Sequence, residues 1–266
     1  MKDLQGKVAI VTGGSGGIGK GVALALAARG ATVVVNGRSA ENAEPVLAEI
    51  RRLGADGCFV AGDVRSKSDM AAVTAEAARR YGGIDIVVAN AGGADDEARK
   101  PEVRGPFANI DLDRVTSFIK EAVAGKVMVV QAAVPYLRKR GGGSVVFVAS
   151  EGGRTPTPGQ TAVAAFSGGI VMVSKVLSKE LARDRIRVNC VCVTVVRDSP
   201  SWEAAFEKTD GVSAHHRGQY EKIIARSPLG VAAPQDIGRT VAFLASDDSA
   251  YLTGATLSPT GGLTIH

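Results

Sequence analysis

Gly13, Ser15, Gly17, Ile18 and Gly19 belong to the run Thr12-Gly13-Gly14-Ser15-Gly16-Gly17-Ile18-Gly19. The run follows the apolar stretch Lys7-Val8-Ala9-Ile10-Val11 and precedes an Ala/Leu-rich stretch over residues 22–28. Glycines at this spacing let a backbone turn sharply and approach a pyrophosphate. The helix that follows offers unpaired N–H groups and a positive dipole end to the same anion. A second candidate binding group comes after the next apolar run, Val33-Val34-Val35, in Asn36-Gly37-Arg38-Ser39. An acidic residue at that point would bind the ribose 2′-hydroxyl of NAD; here Gly37 stands there with Arg38 beside it. A guanidinium can clasp a 2′-phosphate with paired hydrogen bonds, so the pattern predicts NADP(H) over NAD(H).

These groups need a sheet to hold them. Strand-like runs cover residues 8–11, 32–35, 56–61, 84–89, 144–149 and 187–193, with a last one over 255–258. Helical patterns cover 20–28, 43–53, 70–81, 112–137, 164–181 and 234–245. Alternation of this kind predicts an α/β fold, one doubly wound parallel sheet of about seven strands with helices on both faces. The chain is read as a single domain over residues 1–266, with two segments near 93–111 and 197–226 that interrupt the alternation. The second carries Trp202, Phe206, His215, His216, Arg217 and Tyr220, which suggests a partly apolar ligand with an anionic or polar group.

Composition narrows the class. Apolar residues make up 45% of the 266 and aromatics only 5%, which suits close-packed buried parallel strands. The net charge of +5 is spread along the chain, apart from short clusters such as Arg138-Lys139-Arg140 at an expected helix end, so no nucleic-acid partner is expected. Cys58, Cys190 and Cys192 fall in strand-like runs and read as buried thiols of a reducing compartment. No histidine nearby completes a metal set with them. No signal segment or long uninterrupted apolar span is apparent, and a cytoplasmic location is expected.

Thr-Gly-x-x-x-Gly-x-Gly near the N-terminus resembles the short-chain dehydrogenase/reductase superfamily, and further matches run nearly the whole chain. Asn90-Ala91-Gly92 is similar to the family's Asn-Ala-Gly motif, and 143–150 to the strand that ends in its catalytic serine. Arg187-Val188-Asn189, Ser227-Pro228-Leu229-Gly230, Asp236-Ile237, 243–246 and Leu252-Thr253-Gly254 are similar to its later signatures. The resemblance implies a Rossmann-type fold, an adenine contact at Asp63 and Val64, and an adenosine-ribose contact at Asn90, with Ala91 and Gly92 beside it. It also implies that the segments near 93–111 and 197–226 cover the substrate, and that the chain assembles through the fourth and fifth helices, as a dimer or tetramer.

Chemistry in the family uses Tyr as acid/base, Lys to lower its pKa and hold the nicotinamide ribose, Ser to orient the carbonyl, and Asn to anchor a water. Ser150 is in register for the serine. The tyrosine position, thirteen residues on, is Val163; the lysine position is Ser167; the asparagine position falls near Ala122. Pro158-Gly159 and Gly168-Gly169 fix the register on both sides. Where the family's sixth strand turns at Pro-Gly, this chain has Val193-Thr194, expected to extend the strand, and Asp198 replaces a threonine. The catalytic tetrad thus reads as degenerate. Glu151, Asp198, His215, His216 and Tyr220 are the candidate substitutes, with Glu151 either turned into the cleft or solvated. Three functions follow as expectations: an unconventional NADP(H)-dependent oxidoreductase or a non-redox isomerase, cyclase or lyase; a silent subunit pairing with an active relative; or a ligand sensor.

Overall fold

In the strands, neighbouring residues point to opposite faces, and the packing follows that rule. Ala9, Val11, Val33, Val35, Val88 and Val146 pack into one core, while Ile10, Val34, Val87, Val145 and Phe147 pack into another. The computed structural model describes residues 3–93, 97–207 and 214–265. Its centre is one seven-stranded sheet in the order β3-β2-β1-β4-β5-β6-β7. The strands are β1 (Val8–Thr12), β2 (Thr32–Gly37), β3 (Gly57–Ala61), β4 (Ile86–Ala89), β5 (Gly143–Ser150), β6 (Ile186–Val193) and β7 (Thr256–Leu257), all paired in parallel. This is the doubly wound α/β fold expected from the alternation.

Helices α1 (Gly17–Ala28), α2 (Ala40–Arg52) and α8 (Pro234–Ala245) cover one face of the sheet, and α3 (Lys67–Tyr81), α4 (Leu112–Lys139) and α5 (Thr161–Leu181) cover the other. Their starts are chemically marked. Ser39 accepts from Asn42 N–H to open α2, Ser66 from Asp69 N–H to open α3, and Asp111 from the N–H groups of Asp113 and Arg114 to open α4. Such caps satisfy donors that no helical carbonyl reaches. At the far end of α4, Arg138 pairs with Asp184 at 2.7 Å and Arg140 with Asp85 at 3.0 Å, which places that basic cluster at a helix end as read.

Three details differ from the sequence reading. β6 stops at Val193, so Val193-Thr194 do not extend the strand together; the chain next pairs only through an isolated bridge from Val196 to Ala232. The 197–226 segment contains two helices, α6 (Pro200–Phe206) and α7 (Ala214–Ala225). The span Thr161–Asp184, α5 with its terminal turn, is long and apolar enough by those two measures alone to cross a membrane. It is apolar for another reason. Phe166, Ile170 and Leu181 are buried in the core that it shares with α4 and the sheet.

Candidate active site

β1 and β4 end side by side, and Thr12 joins them. Its hydroxyl donates to Val88 O and accepts from the N–H groups of Asn90 (3.0 Å) and Ala91 (3.1 Å), while Asn90 Nδ2 donates to Thr12 O at 3.0 Å. This anchors the glycine loop to the Asn90-Ala91-Gly92 turn. The loop is tight: a Cβ on Gly19 would lie 2.0 Å from the Gly13 carbonyl oxygen, and Gly13 itself sits at φ +64°. No side chain caps the start of α1, so its first N–H groups remain for an anion. Together these make a cradle that larger side chains would fill and that fits a pyrophosphate.

A cleft of about 1410 Å³ opens over this cradle and runs along the carboxyl ends of the strands. Gly13, Ser15, Ile18, Gly19, Arg38, Asp63, Val64, Asn90, Ala91, Gly92, Ser150, Glu151 and Tyr220 all line it, which brings most of the expected site residues together. Gly17 and Ser39 do not. A Cβ on Gly17 would come within 2.9 Å of Pro200 Cδ, so this glycine admits the close approach of the 197–226 segment. Ser39 Oγ is occupied by its helix cap.

At the ends of β2 and β3, Arg38 lines the cleft, is exposed and joins no ion pair among the described residues. Asp63 is gripped by Arg65, with Nε at 3.0 Å and Nη2 at 2.7 Å. Those hydrogen bonds hold its carboxyl at a pKa of about 2. Arg65 also reaches Glu121 at 3.0 Å, so Asp63 is a fixed carboxylate acceptor.

Ser150 ends β5. Its Oγ accepts from Gly152 N–H at 3.2 Å, and its own N–H donates to Ser167 Oγ at 3.2 Å. Ser167 is completely buried and lies outside the cleft lining, whereas Val163 is part of it. The cation at this floor is Lys126, which the sequence reading missed. It lies four residues beyond Ala122, hence on the same helical face, and is 2% exposed. Its Nζ donates to Asn90 O at 2.9 Å and faces the cleft. Burial pushes its pKa down to about 8. The signal was there to find: a lone lysine on the face of α4 that otherwise buries Val115, Phe118, Ala122, Val129 and Ala133.

The other candidate substitutes are placed differently. Glu151 is not solvated; it is 3% exposed and accepts from Ser258 Oγ at 2.7 Å and Thr155 Oγ1 at 3.2 Å. Asp198 is exposed in a turn at φ +55°, outside the cleft lining. His216 is buried, with Nε2 3.3 Å from Ser201 O and its ring 4.4 Å from that of Tyr220. The backbone of His215 belongs to α7, and its side chain lies outside the described residues. Trp202 and Phe206 pack on each other at 4.6 Å and join Val195, Ala205 and Tyr220 in a small separate core. They brace the 197–226 segment, and the apolar wall of the cleft comes instead from Val148, Val163, Phe166 and Val193.

Known proteins resemble this chain over almost its whole length. The family model described as enoyl-(acyl carrier protein) reductase matches residues 13–264. A 3-oxoacyl-[acyl-carrier-protein] reductase from Thermotoga maritima is 34% identical, with 98% of this chain and 99% of that protein covered. The chain is a member of the short-chain dehydrogenase/reductase superfamily. A 7alpha-hydroxysteroid dehydrogenase from Clostridium sardiniense is 33% identical to this short-chain dehydrogenase/reductase, covering 100% of the chain and 96% of that protein. Among solved structures, a 7α-hydroxysteroid dehydrogenase complexed with NADH and 7-oxo glycochenodeoxycholic acid superimposes with a TM-score of 0.85 at 26% identity, covering 98% of this chain and 95% of that one. A short-chain type dehydrogenase/reductase from Mycobacterium marinum does so with a TM-score of 0.83 at 29% identity, covering 100% and 98%.

Proposed function

We propose that the protein is an NADP(H)-dependent oxidoreductase acting on a small, partly apolar organic substrate, with Lys126 as the cation of a site that has Val163 and Ser167 at the Tyr and Lys positions. The observation that carries this reading is the continuity of the cleft: the glycine loop, Arg38, Asn90, Lys126 and Ser150 all line one cavity.

A bound nicotinamide would supply or accept the hydride. The chain's own residues do the rest. The N–H groups at the start of α1 hold the pyrophosphate, and Arg38 clasps the 2′-phosphate. Ser150 already accepts the Gly152 N–H, which leaves its hydroxyl proton for a carbonyl oxygen. Lys126 has three N–H donors and, among the described residues, one acceptor. With a pKa of about 8 it carries its proton at pH 7 and yields it more readily than an exposed lysine. Buried Cys58, Cys190 and Cys192, all unpaired as thiols, fit the cytoplasm.

A second reading is that of a silent subunit, paired with a family member that carries Tyr and Lys. It is favoured by Val163, which presents only carbon to the cleft, and by Ser167, whose hydroxyl is turned to the backbone of Ser150. Calorimetric titration with NADPH, followed by NADPH oxidation over a panel of ketones, separates the two. The oxidoreductase reading expects tight NADPH binding and turnover that falls about 10²-fold or more in Lys126→Met. Tight binding without turnover on any ketone passes the lead to the silent subunit. Absence of NADPH binding removes the proposal.

A further inference from the structure

We infer that a buried polar corner of the cleft, built by Arg104 with Gln219 and Gln160, receives a carboxylate on the substrate. The inference rests on the oxidoreductase reading and names the class of compound it would take: a carbonyl or hydroxyl compound bearing a carboxylate beyond an apolar spacer.

Arg104 comes from the long segment between β4 and α4, yet it is only 8% exposed. Its Nε and Nη2 donate to one atom, Gln219 Oε1, at 3.3 and 3.1 Å. Gln160 Nε2 donates to that same oxygen at 2.9 Å. Gln219 in turn gives its Nε2 to Pro158 O, which fixes the orientation of the amide, because the flipped form would set two oxygens against each other. Three donors therefore converge on a single amide oxygen with two lone pairs. Among the described residues this corner offers more N–H donors than acceptors, and it carries a full positive charge.

Among the described residues no carboxylate pairs with Arg104. Its guanidinium has the Tyr220 ring 5.9 Å away instead. Burial lowers its pKa, in keeping with a desolvated cation. A buried charge held only by an amide and a ring is costly, and an anion arriving from outside relieves that cost. Arg104, Gln160 and Gln219 line the same cleft as Ser150, with Val163 and Phe166 as its apolar wall. A substrate that places its carbonyl at Ser150 can therefore lay an apolar body along that wall and reach the guanidinium with an anionic end. A carboxylate suits it best, since its two oxygens match the planar fork.

The test titrates the NADPH-loaded protein with benzoylpropionate and with its methyl ester. Wild type should bind the acid about tenfold or more tightly than the ester. Arg104→Met should remove the preference, and Arg104→Lys should keep part of it. Equal binding of acid and ester by wild type, or an unchanged preference in Arg104→Met, would overturn the inference. The cofactor's own phosphates are a second source of anion. An Arg104→Met variant whose affinity for NADPH falls as far as its affinity for the acid would assign Arg104 to the cofactor and also overturn it. If Arg104→Met does not fold, Arg104→Lys and the acid–ester comparison on wild type decide alone. Carboxylate-selective binding without any NADPH oxidation would leave the corner standing and remove the oxidoreductase reading. Equal turnover of acid and ester would do the reverse.

Discussion

Lys126 Nζ donates to the main-chain carbonyl of Asn90 at 2.9 Å, which ties the middle of α4 to the end of β4. Asn90 is thereby held from three directions, by Thr12 through its own N–H and side chain and by Lys126 through its carbonyl. The bond holds a buried ammonium, and the cost of burying it is readable as a pH effect. The folded-state pKa of about 8 lies below the ordinary 10.5. Below pH 8 both folded and unfolded chains carry the proton, and the burial penalty is fully present. Between pH 8 and 10.5 the folded chain sheds it first, so stability rises with pH. Wild type should therefore gain roughly 3 kcal/mol relative to Lys126→Met across that window. Denaturant melts of both proteins at pH 7.5 and about pH 10.5 measure it; parallel pH dependences would show that Lys126 does not titrate as described.

Arg38 should set cofactor choice. Its guanidinium is exposed at the mouth of the cleft without an ion-pair partner among the described residues. Arg38→Ala is expected to weaken NADPH binding by about 10–100-fold, as befits a charge-assisted pair, and to leave NADH nearly unchanged. Titrations of both cofactors by fluorescence check this. Equal losses for the two would assign Arg38 to a general electrostatic role.

Placing Tyr and Lys at the two positions proposed for them is a direct trial of the catalytic argument. Val163→Tyr with Ser167→Lys should raise NADPH-dependent turnover of a diketone, with each single change giving less, since the two act as a unit. The gain should be partial. Ser167 is completely buried and its hydroxyl holds Ser150 N–H, so a lysine there also loosens the serine. A wild-type protein already turning over at an ordinary rate, about 1–10³ per second, would show that the proton has another source. Lys126 would then be the first residue to change.

Assembly is expected through α4 and α5. Met172 and Val176, one turn apart on α5, are 59% and 48% exposed, and Leu112 at the start of α4 is 54% exposed. Such side chains on a helix face are suited to burial against a second subunit. Sedimentation at micromolar concentration should give a dimer or tetramer, and Met172→Glu with Val176→Lys should shift it toward monomer. A wild-type monomer would count against the interface. Recovery of a Tyr- and Lys-bearing relative with the native protein would favour the silent-subunit reading.

What could be read from the sequence was whatever is local. The glycine loop, Arg38 and the Asn90 turn each declare themselves within a few residues of a strand end, and all of them line one cleft. The strand cores were equally plain, because buried parallel strands are apolar throughout. Lys126 and Arg104 escaped because their meaning is tertiary. One is a lysine whose helix face is decided by residues three and four positions away; the other is an arginine carried inward by a loop. Helices α6 and α7 escaped because their sequences are short or polar. In α7, Tyr220 is buried in the small core of the covering segment with Ile223 and Ile224 packed against it, while the helix otherwise reads as surface. Trp202 and Phe206 were legible as apolar residues, and only the fold could show that they pack into the small core of the 197–226 segment and stay outside the cleft lining.

Among the described residues, seven basic side chains and four acidic ones line the cleft, and the two deepest cations, Lys126 and Arg104, have no carboxylate partner. Low-dielectric walls concentrate the field of such an imbalance at the mouth, where it acts on a ligand before any contact is made. The pocket is thus expected to select by the rate of encounter as well as by fit. Anionic molecules should arrive faster than neutral ones of the same shape, and the advantage should shrink as added salt shortens the reach of the field.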